Sequence, residues 1–238
     1  MSYGTSLTVL PDRYPPKIDV LDHGFVRLVD FMGSDVSVAR AARVSYDAAW
    51  RAGENDGSDK RLIEYLWKNQ HTTPFEAVTF TFEVKAPIFV FRQWHRHRTW
   101  SFNELSARYR ELPEEFYVPK AENIGTQSKD NKQGRDLTES GLAHDVAKDI
   151  IQAAGEAAFV SYRNLLLRGV PRELARSVLP VATYSHMFAT VNLLNLLKFL
   201  TLRSHAHAQW EIQQYAAALH NLVLPLVPVC LTAWEKFK

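Results

Sequence analysis

Between residues 78 and 85 the chain alternates without a break. Val78, Phe80, Phe82 and Val84 are apolar, and Thr79, Thr81, Glu83 and Lys85 between them are polar. Successive side chains of a strand point to opposite faces, so this octet predicts a β-strand with one apolar face. Around it the pattern switches to helical spacing. Leu62/Leu66 and Ile63/Trp67 stand four residues apart, which predicts an amphipathic helix over residues 59–70. Strands are also expected at 17–22 and 25–31 around Gly24, and an extended stretch at 181–191. Further helices are expected from Ser34 or Asp35 to Val44, from Ile88 after Pro87 to about His97, and over 141–168, where Gly169 can close the helix in a left-handed conformation. A short helix between Pro171 and Pro180, a Leu-rich helix ending at Arg203 and a helix over 208–223 follow. Strands and helices do not alternate as βαβ units, so the class is α+β, with a central, mostly antiparallel sheet and flanking helices.

The 238 residues suffice for one domain with a hydrophobic core, and no internal repeat divides them. Residues 1–16 read as an N-terminal extension, and the polar stretch 120–138 as a long mobile loop. Apolar residues make up 46% and charged residues 23%, as in ordinary globular proteins. No apolar run approaches the ~18 residues of a membrane span. Nothing near the start resembles a signal peptide, so a cytoplasmic protein is expected, with no membrane partner. The net charge of +2 is too small to imply a general nucleic-acid binder. A single cysteine, Cys230, excludes an internal disulfide; set among Leu, Val and Pro, it is expected to be a buried, inert thiol.

Charge is concentrated locally instead. Arg92, His95, Arg96, His97 and Arg98 fall within seven residues, directly after the apolar run Ile88–Phe91. On a continuing helix Gln93, Arg96 and His97 would share a face. If residues 104–110 are extended, Glu104, Ser106, Arg108 and Arg110 point the same way. Guanidinium forks match pairs of phosphate oxygens, and charges tethered so close to a core can line a pocket. Arg172 and Arg176 form a second basic pair one turn apart, with Glu173 able to pair with either. Asn192 starts the Leu-rich helix that Arg203 ends. The pairs His95/His97 and His205/His207 raise a metal reading, but no ligand set has a recognised zinc spacing, so no metal is expected. The residues alone reach an enzyme or binder of a phosphate-bearing ligand such as a nucleotide. An RNA- or nucleotide-binding protein using Trp94 and Trp100 as stacking platforms remains open at this point.

The run Arg96-His97-Arg98-x-x-Ser101-x-Asn103-Glu104-x-Ser106-x-Arg108-Tyr109 resembles the signature of the flavin-dependent thymidylate synthases. Residues 71–76 (HTTPFE), 170–176 (VPRELAR), 202–203 (LR) and 208–212 (AQWEI) resemble further segments of that family in the same order. The resemblance runs from about residue 17 to about residue 216. It implies a homotetramer with shared sites that converts dUMP to dTMP, with methylenetetrahydrofolate as one-carbon donor and NADPH-reduced FAD as hydride source. Carried over by position, His71, Thr73, Arg96, His97, Arg98, Glu104, Asn192 and Lys198 would contact FAD. Gln93, Trp94, His95, Arg96, Glu104, Leu105, Ser106, Ala107, Arg108, Arg176 and Arg203 would contact dUMP, with Arg108 and Arg176 on its phosphate and Arg203 the activating residue. The chain departs from the family at Leu194, where many members carry Arg, at Lys198, often Asn, and at Ala107, commonly Gly. A flavin or nucleotide enzyme acting on another pyrimidine is the nearest alternative.

Overall fold

A computed structural model describes residues 17–137 and 141–238; the N-terminal extension and the end of the polar loop lie outside them. Five antiparallel strands form the sheet: β1 Lys17–Val20, β2 Gly24–Met32, β3 Thr79–Pro87, β4 Ser101–Glu104 and β7 Tyr184–Asn192, in the order β1-β2-β3-β7-β4. A separate hairpin pairs β5 Thr126–Gln127 with β6 Arg135–Asp136. The helices are α1 Asp35–Arg43, α2 Asp56–Lys68, α3 Ile88–Trp94, α4 Leu142–Leu167, α5 Arg172–Ala175, α6 Leu193–Arg203, α7 Trp210–Val223 and α8 Pro228–Phe237.

The alternating octet becomes β3, running one residue later at its start and two at its end. Phe80, Phe82 and Val84 are fully buried and pack with the Leu face of α6 and with α7. The opposite face is half-buried and polar. There Arg27 pairs with Glu83 at 2.7 Å, and Thr81 and Thr190 bond across the β3–β7 register. Helix α4 stands apart from this core and makes its own small one, with Phe159, Tyr162 and Ala175 packed around Phe116.

Several boundaries differ from the sequence expectations for physical reasons. Pro87 does not sit inside α3. It ends β3 and caps the helix, its φ of −60° suiting that corner. Helix α3 stops at Trp94, because His97 and Trp100 then fold back into tight turns on Trp94 and His97. The expected extension over 104–110 also fails. β4 ends at Glu104, Leu105 adds one more bond to His186, and residues 107–109 turn. Glu104, Ser106, Arg108 and Arg110 therefore share no strand face. The stretch 120–138 is not structureless: it holds a 3-10 turn at Ala121–Asn123 and the β5–β6 hairpin. Helix α8 was not foreseen; its first backbone N–H groups, those of Val229 and Cys230, donate to the Asp35 carboxylate at 2.9 Å each.

Candidate functional site

Helix α6 delivers Arg203. Asn192 caps its start by accepting from the Asn195 N–H at 2.9 Å, and six buried apolar side chains along it fix its rotation. At its end, Arg203 Nε donates to His97 Nε2 at 3.0 Å, and Nη2 donates to the Gln93 carbonyl at 3.0 Å. The His97 ring rests on Phe199, 4.7 Å between centroids. To accept from a guanidinium, Nε2 must carry a lone pair, so the imidazole is neutral with its proton on Nδ1. Burial, reinforced by the Arg203 charge, lowers the His97 pKa from 6.5 to about 4. Arg203 itself is pushed down by burial and then by Arg96. Arg96, Arg98 and Arg203 have no acidic partner among the described residues, so positive charge accumulates here uncompensated.

Behind Arg203 runs a hydrogen-bonded chain. Gln93 Nε2 donates to Gln209 Oε1 at 2.5 Å, and Gln209 Nε2 donates to Glu211 Oε2 at 2.9 Å. Glu211 is 1% exposed, and its other oxygen accepts from Tyr117 at 3.1 Å and from Arg135 of the hairpin at 2.7 Å. That ion pair docks the hairpin on the start of α7. It also accounts for Tyr117, whose hydroxyl is held protonated by burial and then by the neighbouring Glu211 charge.

A second basic cluster forms where the turn after β4 meets α4 and α5. A cavity of about 450 Å³ is lined there by Arg108, Tyr109, Glu111, Gly169 and Arg172, among others. Arg108 pairs with Glu173 at 3.3 Å, so the partner of Glu173 comes from the signature and not from Arg172 or Arg176. Arg172 approaches Glu111 instead, at 3.9 Å. Arg176 lies one residue beyond α5, exposed, with only its Nε occupied by the Glu173 carbonyl at 3.3 Å.

The remaining expected contacts surround these clusters. Gln70 takes a left-handed φ of 59°, and the N–H groups of Gln70 and His71 bond back to Trp67 and Leu66. This closes α2 as a Schellman turn and leaves His71 and then Thr73 exposed. Lys198 is exposed on α6, Leu194 beside it is buried, and Arg96 and Arg98 are exposed in the turn after α3. Glu104 accepts from Ser185 at 2.6 Å. Ser106 Oγ accepts from the Arg108 N–H at 3.3 Å, and Ala107 is buried.

Trp94, expected to contact dUMP, lies inside the core. The whole residue is 0% exposed, its indole packed against Trp100, Phe199 and Tyr215 and its carbonyl accepting from the His97 N–H. Trp100 is 6% exposed, so neither tryptophan is available as a stacking platform for bases. The His95 ring is likewise set between Phe91 and Phe102. Leu105 meets the sheet through its backbone. Sequence reasoning gave no role to Gln209, Glu211, Tyr117 or Arg135. Gln209 and Glu211 lie within the family-like segment 208–212, and Glu211 is an acidic residue in the first turn of an otherwise apolar helix face.

Residues 27–229 match the family described as thymidylate synthase complementing protein. A flavin-dependent thymidylate synthase of Thermosipho africanus is 46% identical over 218 residues, spanning 92% of this chain and 93% of that one. One from Thermus thermophilus is 47% identical over 222 residues, 93% of this chain and 79% of that one. Among solved structures, a UMP/dUMP methylase, PolB from Streptomyces cacaoi, bound with 5-Br dUMP, superposes with a TM-score of 0.83 at 40% identity, covering 92% of this chain and 98% of that one. The signature between Arg96 and Tyr109, the fold and these likenesses agree, and the chain belongs to the flavin-dependent thymidylate synthase family.

Proposed function

We propose that this protein methylates dUMP to dTMP reductively, using methylenetetrahydrofolate as the one-carbon donor and FAD reduced by NADPH, as a cytoplasmic homotetramer with shared sites. The observation that carries the reading is the clamped Arg203. A guanidinium held by His97 and Gln93, crowded by Arg96 and with no carboxylate partner among the described residues, suits an anion. The uracil nucleotide bound by the PolB relative supports a pyrimidine as that anion.

Carbon 5 of uracil is a weak nucleophile. A thiolate adding to carbon 6 would activate it, but Cys230 is buried in α8, with its thiol pushed up by burial and by Asp35. Arg203 offers the electrostatic route: set against the ring edge, it stabilises negative charge on the ring and drives density to carbon 5. Arg108 and Arg176 supply forks for the phosphate, and Gln93, Glu104 and Ser106, within the segments that also hold Trp94, His95, Leu105 and Ala107, orient the nucleotide. The donor set also suits FAD. Exposed Arg96 and Arg98 are free for its phosphates, and His71, Thr73, His97, Glu104, Asn192 and Lys198 would complete the contacts. The flavin, when bound, supplies the hydride.

The test is direct. Purified protein incubated with FAD should show a flavin band that bleaches anaerobically with NADPH, and should form dTMP from dUMP and methylenetetrahydrofolate. Protein that stays colourless in excess FAD and forms no dTMP sinks the proposal.

A further inference from the structure

Residues 204–209 join α6 to α7, and Ser204 to His207 lie exposed, so burial of this loop does little to hold the end of α6. Both ends of the loop are tied instead to one residue. The Gln93 carbonyl accepts from Arg203 Nη2 at 3.0 Å, and the Gln93 side chain donates to Gln209 at 2.5 Å. That carbonyl is open to Arg203 because α3 stops at Trp94; from its own segment it takes only the Arg96 N–H, at 3.4 Å. Gln209 is anchored in turn on Glu211, at 2.9 Å, and Glu211 is 1% exposed. A carboxylate so shut off from water stays in place beside a counter-charge; left alone, it draws in water or turns out to solvent. Among the described residues Arg135 alone pairs with it, at 2.7 Å, with the guanidinium lying 6.0 Å over the Trp210 ring. The hairpin that carries Arg135 is braced within itself, Gln127 Nε2 donating to the carbonyls of Lys132 and Gly134 at 3.2 and 3.0 Å.

We propose that Arg135 is a positioning residue for the reaction: from the β5–β6 hairpin it keeps Arg203 in place through Glu211, Gln209 and Gln93. Its importance for turnover rests on the functional reading above, in which Arg203 acts on the nucleotide ring. The tether itself rests on the geometry alone. Arg135 need not touch the nucleotide. It neutralises a buried charge, and the neutralised carboxylate fixes the start of α7 against the end of α3, where Arg203 is bonded. Without that charge the tether loosens from its far end, and the Arg203 guanidinium gains freedom at the moment its placement matters. A segment outside the family-like stretches thereby reaches the centre of the reaction.

The test compares Arg135→Met, which removes the charge and keeps the stem, with Arg135→Lys, which keeps the charge. Three quantities are measured on the purified protein: the His97 ring titration by NMR, turnover at saturating dUMP, and the urea midpoint. His97 reports on Arg203 directly, because the two side chains are bonded at 3.0 Å. In Arg135→Met its midpoint should rise from about 4 towards 6.5. Turnover should fall ~10-fold or more, since a displacement of about 1 Å at a reacting group can cost ~100-fold. Arg135→Lys should bring both back to the parent's values; a lysine variant no better than the methionine one overturns the counter-charge argument and the proposal with it. A merely structural Arg135 would lower the urea midpoint of Arg135→Met and leave the His97 midpoint and turnover unchanged, which also overturns it. Should Arg135→Met fail to fold, Gln209→Met decides, since it cuts the tether while leaving the ion pair: an unmoved His97 midpoint sinks the proposal. A parent that forms no dTMP removes the functional reading, and the His97 midpoints still decide whether the hairpin holds Arg203.

Discussion

Arg203 is held from two sides by groups 106 and 110 residues away in sequence, and that restraint makes it a candidate for catalysis. A guanidinium already fixed need not be reorganised when charge develops on the ring, so its benefit falls on the transition state. Arg203→Ala should lower turnover at saturating dUMP by ~100-fold or more, the usual loss for one removed electrostatic stabiliser. Arg176→Ala should mainly raise the dUMP requirement, since a phosphate contact changes little during reaction. Steady-state kinetics on both, side by side, decide it; recovery of full turnover by Arg203→Ala at saturating dUMP would reduce Arg203 to a binding group. His97 gives an independent check. Its pKa of about 4 lies below the ordinary 6.5, so the unfolded chain takes up this proton first as pH falls. The stability tied to neutral His97 is complete above 6.5 and is lost as pH drops from there towards 4. The His97 ring protons in an NMR titration should move near pH 4, and in Arg203→Gln the midpoint should climb back towards 6.5. A midpoint already near 6.5 in the parent would mean the clamp is not made in solution. Of the site's arginines, those at 92–98 stand out in the sequence as a dense basic run, whereas Arg176 and Arg203 take a role only from the family resemblance. The bonds from Gln93 through Gln209 to Glu211 are not legible, because a glutamine and a glutamate two residues apart carry no mark until a distant turn supplies Gln93 as their partner.

At the scale of elements, local chemistry reached as far as its own reach. The β3 octet and the i, i+4 stripe of α2 were readable because burial of one face alone decides them. Gly169 was readable as a terminator, and it adopts φ +79° with Gly169 and Val170 bonding back to Leu166 and Leu165. That turn brings Pro171 and Arg172 to the cavity beside Arg108. A side chain at φ +79° is strained even where open space surrounds it, as it does here. Gly169→Ala should therefore cost about 1 kcal/mol, read from the urea midpoint, with the secondary structure intact. An unchanged midpoint would show that the turn relaxes elsewhere. The misjudged elements are those fixed by tertiary partners. β4 ends with Glu104 opposite Met187, and α8 takes its first N–H partners from Asp35 at the far end of the chain. The hairpin in the polar loop is docked through Arg135, which pairs with Glu211 and lies over the Trp210 ring, an arrangement no local pattern announces.

Helix α4 presents a surface that a lone chain explains poorly. Helix α4 packs inward through Phe159 and Tyr162, yet it leaves Leu142 81% and Ile150 64% exposed, with Val146 between them. These three stand four residues apart and so form one apolar stripe. Near the other end of the helix, Leu167 and Leu174 extend exposed apolar surface to the rim of the cavity that holds Arg108 and Arg172. Exposed apolar stripes of this kind mark association surfaces, and copies packed through the end of α4 at Leu167 would meet near the cavity that Arg108 lines. That is the physical basis for expecting shared sites in a closed, symmetric assembly. Light scattering on the purified protein should report four times 27.2 kDa. Paired substitutions Val146→Glu and Ile150→Glu place charge in the stripe without touching the site residues, and should release smaller species that lose turnover while keeping their circular dichroism. If those smaller species stay fully active, each chain carries a complete site of its own and the shared-site picture is wrong.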